Sequence, residues 1–326
     1  MVNKSNPGRP RVFSSPTADN EGNFTIEDWA LFSGISLIWG ASFLLIAEAL
    51  EGFTPGMVTL LRVGLGAVTL WILRVILEPG QRIEPGDRGV VAMLAIVWVG
   101  VPFTLFPIAQ QWINSAITGL LNGATPVLAA LVSIFFVKVV PRGLQLVGLA
   151  VGFVGIILVS LGSASDGSSE AQGVLLVLLA TVCYGFAFNI APPLQAKYGA
   201  VVLMSSVLSG ATVLVIPYSL VDVADSEWQL SSVMAVAALG AIGTGAAYWI
   251  MASLVGRVGA IRSSFITYLI PVVSLVLGVW LRDDTVKALA LAGAPLTIVG
   301  AFLASRKGGR ATMPSALARK PTSGGD

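Results

Sequence analysis

The chain has 326 residues, of which 55% are hydrophobic and only 11% charged, and its mean hydropathy is +0.86. Soluble proteins carry about 25% charged residues, so this composition excludes a pair of soluble domains, which would expose large apolar patches, and predicts an all-α integral membrane protein embedded in a lipid bilayer. With no His, one Cys (Cys183), no G-x-x-x-x-G-K-[ST] and a net charge of +2 spread along the loops, no metal, cofactor, disulfide, ATPase or nucleic-acid partner is expected.

Residues 1–28 read as a polar, disordered cytoplasmic tail with Lys4, Arg9 and Arg11 but no apolar run of signal-peptide length. Ten apolar segments follow, at 29–50, 55–76, 89–108, 115–137, 143–162, 174–192, 200–221, 234–253, 260–281 and 287–305. Runs such as Val90–Ile108 and Gly143–Leu161 are long enough to cross about 30 Å of hydrocarbon as helix. Residues 306–326 form a second disordered, basic tail. With the N-terminus placed in the cytoplasm, sixteen of the nineteen Lys and Arg fall in inner segments, and only Arg282 and Lys287 fall outside. Acids collect on the outer side instead, among them Glu48, Glu51, Asp222, Asp225, Asp283 and Asp284. This alternation fits an even number of spans, in a multi-pass protein of the cytoplasmic membrane with both termini cytoplasmic.

A shift of 145 residues lays the first five segments on the last five without a gap. Gly40 falls on Gly185, Phe43 on Phe188, Gly100 on Gly245, Pro126 on Pro271, Gly148 on Gly293 and Gly155 on Gly300. Matched Gly and Pro are informative because each imposes a particular backbone behaviour. Five is an odd number of spans, so the second copy enters the bilayer upside down. The prediction is ten transmembrane helices arranged as two inverted five-helix repeats, residues 29–162 and 174–305. Such a repeat offers two near-equivalent conformations, one open to each face, which is the physical basis of alternating access.

The residues then resemble a known family. Ile38-Trp39-Gly40-Ala41-Ser42-Phe43 looks like the first-span motif of EamA-domain proteins of the drug/metabolite transporter superfamily. Pro55 followed by Arg62, Pro126, Gly148 and Gly155 are similar to that family's pattern, and Pro271, Gly293 and Gly300 repeat it. Asp284 stands where the family usually has Glu, and Val139 stands where an acid would follow span four of the first copy. The resemblance covers 29–305 and implies a secondary transporter of small metabolites or drug-like solutes, with no enzymatic step and with efflux favoured over uptake. A non-transporting scaffold or sensor is the alternative of another class.

Arg62 is an ionisable group well inside a span, where a charge costs about 2.5–3.5 kcal/mol on insertion scales. It is expected either to meet an anion such as a solute carboxylate, or to snorkel or pair with Glu48 for structure. Pro126 and Pro271, at matching depth, each remove a backbone donor and are expected as kinks bordering the pathway. Candidates to line a central cavity are Trp39, Ser42, Phe43, Gln110 and Asn122 in the first half. The second half offers Tyr184, Phe188, Asn189, Tyr248, Trp249 and Tyr268. Rings supply contact area and amides fix orientation for a small amphipathic solute. Gly148, Gly152 and Gly155 make a small-residue face for close helix packing, within the bundle or between protomers of a homo-oligomer.

Overall fold

The computed structural model describes residues 24–77, 80–136, 143–163 and 168–305, and among these it is helical without strands. Both polar tails beyond those limits lie outside the described residues, as does Val139. The first helix, α1 (Ile26–Leu50), begins three residues before the boundary that hydropathy suggests. Glu27 and Asp28 read as tail by polarity, but the helix start uses Asp28. The Asp28 amide donates to Thr25 Oγ1 at 3.2 Å and the Thr25 amide to Asp28 Oδ2 at 2.9 Å, a reciprocal cap that satisfies two orphan donors. Asp28 is buried and accepts from Arg257 Nε at 2.6 Å.

Among the described residues, nine further long helices follow. They are α2 (Pro55–Leu77), α3 (Pro85–Ala109), α4 in two pieces (Ser115–Asn122 and Thr125–Phe136) and α5 (Leu144–Ser163). After these come α6 (Ser168–Tyr198), α7 (Ala200–Ser219), α8 (Leu230–Val258), α9 (Ile266–Arg282) and α10 (Ala288–Ala304). Helices α1 to α8 are long and apolar enough to cross a membrane, while α9 and α10 are shorter at 17 residues each. Arg257 at the end of α8 reaches the start of α1, and Tyr268 near the start of α9 donates to the Ala301 carbonyl and to Ser305 beyond α10. The two ends of the described chain therefore share one end of the bundle, here called the terminal end; the opposite one is the distal end.

Two helices contain π-helical stretches, Ala95–Gly100 in α3 and Ala238–Ala246 in α8. A shift of 145 residues carries the first onto 240–245, inside the second. In α8 the wider turn is closed by Thr244, whose hydroxyl donates to the Leu239 carbonyl five residues back at 3.0 Å. Insertions of this kind tend to occur at functional sites because they rotate the side chains that follow.

The two matched prolines behave differently. Pro126 cannot donate to the carbonyl of Asn122, and α4 breaks at Gly123-Ala124 just before it. Thr125 Oγ1 donates to that freed Asn122 carbonyl at 2.7 Å. Pro271 lies inside a continuous α9, and the interruption comes earlier, at Ser264-Phe265, between the short helix Ala260–Ser263 and α9. The residue at the Thr125 position in the second half is Ile270, which has no hydroxyl to stabilise a break there.

Packing follows a regular scheme. Helix α1 lies on α9 and α6 on α4; α2 lies on α8 and α7 on α3; α5–α10, α2–α7 and α4–α9 also pair. The α5–α10 contact is backbone on backbone. A Cβ placed on Gly148 would stand 2.7 Å from the Gly300 carbonyl, and one on Gly300 2.7 Å from that of Gly148. One on Gly155 would stand 2.8 Å from the Gly293 carbonyl, and one on Gly293 2.7 Å from that of Gly155. Only glycine fits at these four positions, so the small-residue face of α5 is occupied by α10 of the same chain.

Candidate functional site

Arg62 lies in the second turn of α2, within the core and only 6% exposed. Its Nε donates to Thr244 Oγ1 in the π-helical stretch of α8 at 3.2 Å, and its guanidinium stands 3.8 Å above the Phe103 ring of α3. One turn away, Thr59 Oγ1 donates to the Phe103 carbonyl at 3.2 Å, which fixes α2 against α3 at this level. The hydroxyls of Tyr184 and Tyr248 are within electrostatic reach of the guanidinium. Among the described residues, no carboxylate pairs with Arg62. Glu48 instead binds Arg282, so the Arg62–Glu48 pairing considered from sequence does not occur.

The two tyrosines belong to a network of ring contacts. Trp39 meets Tyr248 edge-on at 6.0 Å, Trp98 meets Phe188 at 6.0 Å and Tyr248 at 6.3 Å, and Tyr184 stacks on Phe188 at 6.0 Å. Three pairs in this cage are counterparts under the 145-residue shift: Trp39 with Tyr184, Phe43 with Phe188, and Phe103 with Tyr248. The charge breaks the pattern, because the counterparts of Arg62 and Thr244 are Val207 and Val99.

Toward the distal end, Phe43 packs edge-on against Phe106 at 5.5 Å, and both are buried. Gln110 sits above them and donates from Nε2 to the Phe43 carbonyl at 3.2 Å, while its Oε1 is buried and meets no partner among the described residues. Beyond them opens a cleft of about 400 Å³ lined by residues that include Glu51, Gln110, Asn114, Arg282 and Asp284. Polar ties cross this end. Arg282 binds Glu48 and, at 2.7 Å, Glu51. Asp284 Oδ2 accepts from Ser115 Oγ at 2.6 Å and from the Ala116 amide at 2.9 Å, capping α4, and Asn114 Nδ2 donates to the Thr285 carbonyl at 2.8 Å.

The other candidates, Trp249 excepted, have structural partners. Ser42 donates to the Ile38 carbonyl of its own helix. Asn122 lies at the α4 break, and Asn189 Nδ2 donates to the Gly185 and Ala129 carbonyls, tying α6 to α4. Tyr268 packs with Phe265 and Phe302 near α10, away from Arg62. Trp249 is half-buried, and its indole N–H meets no acceptor among the described residues. Sequence reading passed over Trp98, Phe103, Phe106 and Thr244. Phe103 had a signal, being the counterpart of Tyr248; the others look like ordinary core in an apolar helix.

The chain is a polytopic helical bundle, with eight helices long and apolar enough to cross a membrane among the described residues and a buried cation against an aromatic ring in its core. The sequence matches the EamA-like transporter family over residues 29–161 and again over 171–306, and the chain belongs to that family. An uncharacterized transporter of Archaeoglobus fulgidus is 23% identical over 282 residues, 86% of this chain and all of that one. The uncharacterized transporter YdfC of Bacillus subtilis is 24% identical over 81% of this chain and 86% of its own length. The uncharacterized inner membrane transporter YedA of Escherichia coli K12 is 24% identical over 78% and 83%. A crystal structure shares the fold with a TM-score of 0.61 over 85% of this chain and 96% of that one, at 18% identity.

Proposed function

We propose that this transporter is a secondary carrier of small organic solutes that works by alternating access, with ten spans arranged as two inverted five-helix repeats. Helices α9 and α10 are the two shorter spans in this reading, α9 being extended by the turn at Ala260–Ser263. The observation that carries the reading is the reciprocal glycine crossing of α5 and α10. Exchanging the halves turns the Gly148–Gly300 contact into the Gly293–Gly155 contact, and both are made. The aligned π-helical stretches in α3 and α8 and the packing of α1 on α9 as α6 on α4 support the same exchange.

The conformation fits one half-cycle. Counterparts would be equally covered in a symmetric state, yet Phe43 is 5% exposed and Phe188 is 42% exposed. Helix α1 packs on the first piece of α4, but among the described residues α6 makes no comparable contact with Ala260–Ser263. We read this as a state closed at the distal end and open toward the terminal end, with both termini cytoplasmic. Solute would enter from the cytoplasm, meet the Arg62 cage and leave outward, which is efflux. Two measurements test the proposal: reporter fusions at each loop, expected to put both termini inside, and comparison of metabolites in the medium of cells with and without the protein. A medium unchanged by expression, with the protein present and correctly inserted, contradicts the carrier.

A further inference from the structure

We propose that the Arg62 cage selects organic monoanions, solutes with one carboxylate on a planar apolar body, and discriminates against cations and zwitterions. The inference rests on the carrier reading of this same site and adds its chemical class. The site is rich in donors and lacks a negative partner. Arg62 uses one N–H on Thr244, and its remaining N–H groups meet no hydrogen-bond acceptor among the described residues. The hydroxyls of Tyr184 and Tyr248, on two other helices, lie within electrostatic reach of the same charge and hydrogen-bond to no described residue. The carboxylates that could neutralise a buried cation are engaged at the ends of the bundle: Glu48 and Glu51 on Arg282, Asp284 on the α4 terminus, Asp28 on Arg257, and Asp87 on Lys197. A cation held in the membrane interior without its counter-charge is costly, and such groups mark ion and substrate pathways. The missing negative charge therefore has to come from the solute, whose carboxylate can take two guanidinium N–H groups side by side.

The charge count sets the class. Among the described residues at this site there is one cation, its counterpart in the other half being Val207, so a second negative charge on the solute would be uncompensated. An ammonium in the cage would meet Arg62 as a like charge and find no carboxylate. Phe103 lies under the guanidinium itself, and the contacts of Trp39 with Tyr248 and of Trp98 with Phe188 and Tyr248 make the surroundings aromatic, which favours a flat apolar body on the solute.

Four probes sharing one phenyl body test this on purified full-length protein in lipid nanodiscs: 3-phenylpropanoate, phenylalanine, 2-phenylethylamine and 3-phenylpropanol. Binding is read by calorimetry and flux by counterflow of labelled compound in proteoliposomes. We expect 3-phenylpropanoate to bind at least tenfold tighter than the other three, with that margin lost in Arg62→Gln and reduced in Tyr248→Phe. Thermal unfolding of each variant reports folding, and a Tyr248→Phe protein that melts like wild type keeps the comparison valid if Arg62→Gln does not fold. Tighter binding of phenylalanine or the amine, no binding of any probe, or a margin that survives both substitutions overturns the anion class. Anion-selective binding without counterflow upholds the class and sinks the carrier. Counterflow of the amine or of phenylalanine in preference to the propanoate does the reverse.

Discussion

Arg62 is held where a membrane protein can least easily keep a charge, and it is held by a hydroxyl and a ring face rather than by an acid. If that charge serves solute rather than fold, removing it should relieve the empty protein. Arg62→Met, of similar volume, is expected to leave stability unchanged or raise it by about 1–4 kcal/mol while abolishing transport, as read by thermal unfolding beside a flux assay. A loss of several degrees together with a loss of flux would instead make Arg62 a structural tie. Arg62→Lys keeps the charge but not the planar fork and should transport at least tenfold more slowly than wild type. The isolated charge itself was legible in the sequence, because a base amid apolar residues is visible in any span. Its surroundings were not. Asn189 and Tyr268 looked like pathway residues by polarity, yet their polar atoms are spent on backbone carbonyls. Trp98 and Phe106 looked like core, yet they stand beside the cage, because the side of a helix that a ring faces depends on a π-helical insertion with no simple sequence mark.

Among the helices, the α5–α10 crossing is the contact least able to tolerate change. Gly155→Leu or Gly300→Leu forces backbones apart and should cost about 1–3 kcal/mol or more, measured as a fall in unfolding temperature. Gly34→Ala, where nothing lies within 4 Å, should stay within about 0.5 kcal/mol of wild type. Equal effects at all three positions would contradict the close crossing. Those glycines were legible because the 145-residue register aligned them, whereas the break before Pro126 was only half legible. Both prolines predict a kink, but the hydroxyl of Thr125 that satisfies the freed carbonyl has no equivalent at Ile270. At the distal end, Asp284 caps α4 in place of a backbone partner. Asp284→Ala should lose about 1 kcal/mol of cap energy and increase labelling of a cysteine placed at Gln111 in the distal cleft. Unchanged labelling would show that the cap does not hold that end closed.

For the molecule as a whole, the two ends are unequal in chemistry. The residues that tie the distal end together are Arg282, Asp284, Glu48, Glu51, Gln110 and Asn114, and a shift of 145 residues carries them in sequence onto Val137, Val139, Pro193, Ala196, Val255 and Gly259. The terminal end has its own pairs, Arg257 with Glu27 and with the buried Asp28, and Lys197 with Glu84 and Asp87; apart from Asp28 these side chains are at least partly exposed, and exposed pairs contribute about 0–1 kcal/mol each. In the proposed cycle the distal ties hold the state closed at that end, and weakening them should tip the balance. In a Cys183→Ser background, cysteines replacing Phe43 and Phe188 can be labelled from each side of the membrane with an impermeant maleimide. The account predicts that the position-188 cysteine labels from the cytoplasm while the position-43 cysteine is protected, and that combining Arg282→Ala with Asp284→Ala exchanges the two. Labelling that rises at both positions together, or that does not change at either, would contradict alternating access in this protein.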